Sequence, residues 1–211
     1  MEKNKLAEVV SKALESKGSR KFTQAVELII NFKGIDFNKP DKRLNLEIAL
    51  PKGTGKNTKL AVFAEGQMAL DAKTAGADSI LSSADITKLA NDRAKLKILL
   101  KDHVLIAQPN LMMVIGKNLG QVLGTKDKLP KPIIGGNIKD IGERAKKTIK
   151  LKSKGKYLPV LQCLVGTELM SVDDLTENIE AVLEAVRAKV GEYAIRSAYV
   201  KLTMSAPQKL L

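Results

Sequence analysis

The chain of 211 residues is long enough for one large domain or two small ones, each with its own hydrophobic core. Its 44% of hydrophobic residues argues against wholesale disorder, and its formal net charge of +13 at pH 7 favours polyanionic partners, with nucleic acid first among them. Because Cys163 is the only cysteine, an internal disulfide and a thiolate metal cage are excluded, and we expect the reducing cytoplasm as the compartment.

The sequence shows no targeting or membrane segment. The opening MEKNKLAEVV has no apolar core of signal-peptide length, and the longest apolar stretch, LMMVIG at 111–116, is too short to span a bilayer. We therefore expect a soluble intracellular protein without a membrane partner.

The first quarter of the chain predicts one helix and two strands. Residues 4–16 place apolar side chains on one helical face, and Gly18 ends the helix. Apolar residues then alternate through 26–32 and again through 44–50, which is typical of half-buried strands. We expect these two strands to pair with each other in antiparallel fashion.

The middle of the chain alternates short apolar strands with amphipathic helices. The alternation begins after a break at 50–56, LPKGTGK, and implies a parallel, Rossmann-like α/β layer. The predicted strands cover 59–64, 77–81 and 103–109, and the predicted helices cover 66–76, 86–100, 111–124 and 138–147.

The last third returns to an antiparallel pattern. Residues 148–166 predict a hairpin whose turn is SKGK at 153–156, and SVDD at 171–174 predicts a helix that starts with a capping box. The closing strand, 198–204, alternates Val200, Leu202 and Met204 with Tyr199, Lys201 and Thr203.

This order predicts a two-domain α+β protein. The two antiparallel stretches form a split domain I of residues 1–53 and 147–211, and the α/β stretch forms an inserted, Rossmann-like domain II of residues 54–146. The two connections between the domains are expected to act as a hinge at Gly53, Gly55, Lys146 and Lys147.

Three glycines in GKNLGQVLGTKDKLPKP, residues 116–132, raise the question of a nucleotide site. A dinucleotide fingerprint needs G-x-G-x-x-G directly after a strand, whereas Gly116, Gly120 and Gly124 are four residues apart and lie late in a helix. This spacing puts the glycines on one helical face, so we favour close packing against another element over nucleotide binding. Gly124 would then end the helix.

Catalytic machinery is not visible in the sequence. The stretch PKGTGKN at 51–57 lacks the phosphate-loop pattern, the single histidine, His103, has no second histidine with which to bind a metal, and no G-x-S-x-G motif occurs. We expect neither a cofactor nor a metal. The most economical interpretation of Cys163 is a small core side chain.

The charges and aromatic residues favour the flanking segments as the nucleic-acid reader. Residues 54–146 carry a net +6, which leaves +7 for the flanks, and the flanks also hold six of the seven aromatic residues. These aromatic residues are too few to form an extended surface for base stacking. We therefore expect the protein to recognise RNA mainly through its phosphates, its 2′-hydroxyls and its shape.

Several stretches resemble the universal large-subunit ribosomal protein one (L-one) family in the same order along the chain. The resemblance rests on KFTQAVELIINFKGID, LNLEIALPKGTGK, IGKNLGQVLGTKDKLPKP and SAYVKLTMSAP, and DFNKPDKRLNLEIALPKG is similar to the archaeal branch. It implies a split domain I with an inserted Rossmann-like domain II.

The resemblance also implies a function. It points to binding of large-subunit ribosomal RNA at the mobile stalk beside the exit-site tRNA, and to repression of translation through the protein's own mRNA. Carried over onto this chain, the family's RNA contacts fall on Lys21, Phe22, Glu27, Gly166, Ser197, Thr203 and Met204. Ser205 stands where the family commonly has glycine. The free protein is expected to be a monomer.

The sequence is also compatible with two other functions. A Rossmann-like nucleotide-binding enzyme with an added basic domain would bind a nucleotide or metal in residues 54–146. A general DNA-binding protein would bind any duplex with similar affinity.

Overall fold

A computed structural model describes residues 3–39, 42–135, 137–153 and 158–211. The chain divides into two compact units, of which unit 1 comprises Met1–Lys56 and Lys147–Leu211, and unit 2 comprises Asn57–Lys146. In chain order the elements are α1 (Lys3–Glu15), β1 (Ala25–Phe32), β2 (Asn45–Ala49), β3 (Lys59–Phe63), α2 (Gln67–Thr74), β4 (Ser79–Leu81), α3 (Ser83–Asn91), α4 (Arg93–Asp102), β5 (His103–Ala107), α5 (Pro109–Thr125), β6 (Lys131–Pro132), α6 (Ile138–Lys147), β7 (Thr148–Lys152), β8 (Val160–Thr167), α7 (Val172–Val190), β9 (Ile195–Leu202) and β10 (Gln208–Lys209).

Unit 1 is built on a four-stranded sheet in the order β10-β9-β1-β8, with β1 antiparallel to both of its neighbours. The period-two pattern of β1 predicted its buried face, and the structure confirms it at Val26, Leu28, Ile30 and Phe32. Helices α1 and α7 contribute apolar side chains to the same hydrophobic core. The other face of β1, β8 and β9 carries the partly exposed side chains.

The strand pairing in unit 1 differs from the prediction. Strand β2 does not pair with β1 but forms a two-stranded antiparallel sheet with β7, in which Leu46 pairs with Leu151 and Ile48 with Ile149. The predicted hairpin of β7 and β8 is confirmed only in part, because one antiparallel bridge joins Ser153 to Leu161 while the main partner of β8 is β1. Most of the predicted 153–156 turn lies outside the described residues.

Unit 2 contains a four-stranded parallel sheet in the order β4-β3-β5-β6, which confirms the parallel α/β pattern predicted for this stretch. Alternate residues of β3 and β5 enter two separate cores. Ala61 and Phe63 pack with side chains of α3, α4 and α5, while Leu60 and Val62 pack with side chains of α2 and α6. The sheet is therefore covered by helices on both faces.

The glycines of α5 do not support close packing, and that prediction is wrong. A Cβ atom built on Gly116, Gly120 or Gly124 would meet nothing within 4 Å. Gly124 also does not end the helix, which continues to Thr125 and is followed by Asp127 at a positive φ of 53°. The buried face of α5 is formed by Leu111, Ile115, Leu119 and Leu123.

Helix α7, the longest among the described residues, begins at the predicted Ser171 with one half of the predicted capping box, since the Asp174 carboxylate accepts a hydrogen bond from the Ser171 hydroxyl at 2.8 Å. The Ser171 hydroxyl accepts a hydrogen bond from the Asp174 backbone N–H at 3.1 Å, which satisfies one of the free donors at the helix start. Its hydrophobic residues are interrupted throughout by acidic and basic ones. In the parts of the chain that the structure covers, no helix is long and apolar enough to cross a bilayer.

Candidate nucleic-acid interface

The predicted RNA-binding residues of unit 1 come from three segments, and β1 brings most of them together. Glu27 points to the exposed face of the sheet, where its register partners are Leu164 on β8 and Lys201 on β9. Val26, one residue earlier, pairs with Gly166 and Leu202. Segments that are far apart in sequence therefore meet at the beginning of β1.

Thr203 and Met204 follow β9 and lie beside this end of β1. The Thr203 hydroxyl accepts a hydrogen bond from the Ala25 N–H at 3.1 Å, and the Thr203 N–H donates to the Ala25 carbonyl at 3.1 Å. The Met204 side chain was predicted to share a face with Val200 and Leu202, but it lies beyond the end of the strand and is 59% exposed.

Lys21 and Phe22 lie in the connection between α1 and β1. Both are exposed, and Phe22 keeps 51% of its surface accessible although it is a large apolar side chain. An exposed phenyl ring and an adjacent ammonium group can contact a base or ribose and a phosphate respectively. Both lie in the segment that leads into β1, at the strand end where Thr203 and Met204 are bonded to Ala25 and Gln24.

Gly166 and Ser197 do not belong to this exposed cluster. Gly166 is buried, and a Cβ atom at this position would lie 2.4 Å from Leu175 Cδ2 and 2.8 Å from Met170 Sδ. The structure therefore gives Gly166 a packing role. Ser197 pairs with Asn31 at the other end of β1 and accepts a hydrogen bond from its amide at 2.9 Å. Six residues of strand, roughly 20 Å, separate it from Thr203.

Ser205 fits the turn after β9 without backbone strain. It is not among the residues with positive φ, and its hydroxyl accepts the Leu202 N–H at 2.9 Å. A serine in place of the family glycine thus gains a hydrogen bond that closes the turn carrying Thr203 and Met204.

Sequence analysis missed Gln24 and Glu168, which connect the clustered segments. Gln24 is a buried polar residue, and its side chain and backbone bond to Glu168 and Met204. Polar residues that are 144 positions apart give no periodic pattern. The one signal in the sequence was Gln24 itself, a polar residue directly before the apolar strand β1.

The predicted hinge residues lie at two neighbouring connections. The Leu50 N–H donates to the Lys147 carbonyl at 3.0 Å, directly beyond the paired ends of β2 and β7. Gly53 and Gly55 have positive φ angles of 73° and 66°, which favour glycine. Within unit 2, the ammonium group of Lys146 lies 3.9 Å from the Asp78 carboxylate.

The first connection is fixed by α7. The buried side chain of Asn178 accepts the Lys52 N–H at 3.1 Å and donates to the carbonyls of Gly53 and Val165 at 2.9 Å each. A hydrogen bond to Asp174 and the nearby charge of Glu177 raise the pKa of Lys52, which keeps its positive charge. Gly55 is closely packed, because a Cβ atom there would lie 2.6 Å from the Thr167 hydroxyl.

Comparisons with known proteins match nearly the whole chain to one family. The model of the ribosomal protein L1p/L10e family matches residues 12–206. The chain is 42% identical to the large ribosomal subunit protein uL1 of Pyrococcus horikoshii, with 96% of this chain and 94% of the relative covered. It is 40% identical to the protein of the same name from Methanocaldococcus jannaschii, and the match covers 100% of this chain and 96% of the relative. It is 39% identical to the protein of the same name from Methanothermobacter thermautotrophicus, and the match covers 94% of this chain and 95% of the relative.

Proposed function

Because the chain belongs to the ribosomal protein L1p/L10e family, we propose that it binds large-subunit ribosomal RNA at the mobile stalk, beside the exit-site tRNA. Proteins of this family are structural RNA-binding proteins and not enzymes, which removes the nucleotide-binding enzyme as an alternative. Membership of the family puts the chain on the cytoplasmic ribosome.

One observation carries the proposed RNA surface. Phe22, Glu27, Thr203 and Met204 come from segments about 180 residues apart, yet they lie around the beginning of β1. They offer an exposed apolar ring, an outward carboxylate, a hydroxyl and an exposed thioether, while Lys21 adds a positive charge. Such a mixture suits a folded RNA, which presents phosphates, 2′-hydroxyls and splayed bases together.

We further propose that the same surface binds a similar RNA fold in the protein's own mRNA and so represses its translation. Competition between the two RNAs for one surface would make repression depend on the supply of free ribosomal RNA. The exit-site tRNA is proposed as a third RNA partner in the assembled ribosome, and the free protein is proposed to be a monomer.

The division of labour between the units is also a proposal. Unit 1 corresponds to domain I, the main RNA-binding domain, and unit 2 to domain II, with a boundary at 56/57 where the sequence suggested 53/54. The parallel sheet with helices on both faces supports the Rossmann-like description of domain II. Gly53, Gly55, Lys146 and Lys147 are the proposed hinge between the domains.

Sequencing the RNA that copurifies with the protein from native cells tests this proposal. The expected result is strong enrichment of the stalk segment of large-subunit ribosomal RNA, with a smaller fraction from the protein's own mRNA. A copurifying RNA population that matches total cellular RNA would contradict it.

A further inference from the structure

The side chain of Gln24 is the centre of a hydrogen-bond network directly before β1. Gln24 is 1% exposed, its Oε1 accepts the Met204 N–H at 3.1 Å, and its Nε2 donates to the Lys17 carbonyl at 2.7 Å. The same Nε2 donates to Glu168 Oε2 at 3.2 Å. Both amide donors are thus used, and the side chain links the segments after α1, β8 and β9.

Glu168 holds Gln24 from the side of β8. Its Oε1 accepts the Gln24 backbone N–H at 3.0 Å, and its own backbone N–H donates to the Gln24 carbonyl at 3.0 Å. The carboxylate therefore receives two hydrogen bonds from a single residue, and bonds to an ionised acceptor are stronger than those between neutral groups. This pair fixes where the chain before β1 lies relative to the turn after β8.

Three exposed apolar side chains belong to the segments that this network links. Phe22 is 51% exposed, Leu169 is 79% exposed and Met204 is 59% exposed. Phe22 is two residues from Gln24, Leu169 is adjacent to Glu168, and the Met204 backbone is bonded to Gln24. We call these three residues the apolar rim. Each belongs to a segment whose position the hydrogen-bond network determines.

We propose that Gln24 and Glu168 are positioning residues that hold the apolar rim in the arrangement to which stalk RNA binds. This inference rests on the proposed function and adds to it residues that act without touching the RNA, together with Leu169 as a member of the contact surface. Glu168 is negatively charged and is engaged by Gln24, so it acts through Gln24 rather than on a phosphate.

The direction in which one substitution changes the RNA affinity distinguishes a positioning role of Glu168 from an effect of its charge. Glu168→Gln removes a negative charge, which by electrostatics alone should strengthen binding to a polyanion. It also puts an amide donor against the Gln24 amide, so the positioning role predicts weaker binding, by about 5-fold or more. Glu184→Gln, at an exposed position on α7, is the control for charge and should leave binding unchanged or slightly tighter.

A further variant tests the geometry. Glu168→Asp keeps the charge but shortens the side chain by one methylene, so it should weaken binding although the net charge of the protein is unchanged.

The experiment measures two quantities on the full-length protein. One is the Kd for a transcript of the stalk region of large-subunit ribosomal RNA, and the other is the ¹H–¹³C methyl resonance of Met204 in the free protein. Thermal melting shows which variants are folded, and Glu168→Asp carries the test if Glu168→Gln is not.

The expected result is a displaced Met204 resonance and weaker binding in both variants at position 168. The inference is overturned if folded Glu168→Gln binds as tightly as Glu184→Gln, or if folded Glu168→Asp binds as tightly as the wild-type protein. Failure of the proposed function would give a different result, because the wild-type protein itself would then show no preference for stalk RNA.

Discussion

The hydroxyl of Thr203 lies 3.1 Å from the backbone nitrogen of Ala25 and accepts its hydrogen bond. With the Thr203 N–H donating to the Ala25 carbonyl, this contact fastens the segment after β9 to the first residue of β1. The hydroxyl proposed to bind RNA therefore also stabilises unit 1, and a substitution there must be measured in both respects.

Thr203→Val should lower both the stability and the RNA affinity. The substitution keeps the shape but removes the acceptor of the Ala25 N–H, so the free energy of unfolding should fall by about 1–3 kcal/mol. The same loss at the RNA surface should weaken binding by roughly 5- to 100-fold. Urea denaturation and an RNA titration measure the two effects. Thr203→Ser, which keeps the hydroxyl, is the matched control, and an unchanged Kd for folded Thr203→Val would remove this residue from the site.

Alanine at two glycines should have opposite effects on stability. In Gly166→Ala the new methyl group would lie 2.4 Å from Leu175 Cδ2, a buried atom, so unfolding should become easier by about 1–3 kcal/mol. In Gly120→Ala the methyl meets nothing, and replacing a helical glycine should stabilise by up to about 1 kcal/mol. Denaturation of both variants gives the comparison, and a stabilised Gly166→Ala would contradict the packing role.

Asn178→Ala should loosen the first connection. It removes the partner of the Lys52 N–H and of the Gly53 and Val165 carbonyls in a fully buried place, so we expect a loss of at least about 2 kcal/mol. Amide hydrogen exchange at Lys52 should accelerate. Its exposed neighbour offers the control, since Glu177→Gln removes a surface ion pair worth about 0–1 kcal/mol. Equal effects of the two substitutions would refute the anchoring role.

Stability should decline at alkaline pH because of Cys163. Burial raises the pKa of its thiol from the usual 9.0 to about 12. The unfolded chain ionises above about pH 9 while the folded chain keeps the proton, so the stabilisation is complete below that pH and is lost as pH rises towards 12. Between pH 9 and 10, the wild-type free energy of unfolding should fall by about 1 kcal/mol more than that of Cys163→Ala. If the free energy of unfolding of the wild type and of Cys163→Ala changed equally with pH, the thiol would ionise equally in the folded and unfolded states, which would contradict this prediction.

Sequence reasoning identified strands and their buried faces well but not their partners. The alternation in β1 and β2 reports which side chains are buried, and it carries no information on which strand lies alongside. Strand β2 pairs with β7 because these two strands lead into and out of unit 2, and about 100 residues separate the paired positions. The parallel sheet of unit 2 was easier to predict, since a regular alternation of strands and helices is compatible with few other strand arrangements.

The glycine helix shows how a correct spacing led to a wrong prediction. Leu111, Ile115, Leu119 and Leu123 have the same four-residue spacing as the glycines, and the last three of them directly precede the three glycines. One residue is about 100° of helical rotation, so burying the leucine face turns the glycines away from the core. For the interface, the resemblance supplied Phe22, Thr203 and Met204, whereas Gln24 and Glu168 became visible only when the tertiary contacts were known.

Competition between stalk ribosomal RNA and a generic RNA duplex for the intact protein tests the central claim most directly. At physiological salt we expect the stalk RNA to bind at least ~10³-fold more tightly, by analogy with specific DNA-binding proteins. If about five phosphates are neutralised, log K should also fall with log salt at a slope of roughly −4. Equal affinities for the two RNAs would contradict the account, because the +13 charge alone would then explain the binding.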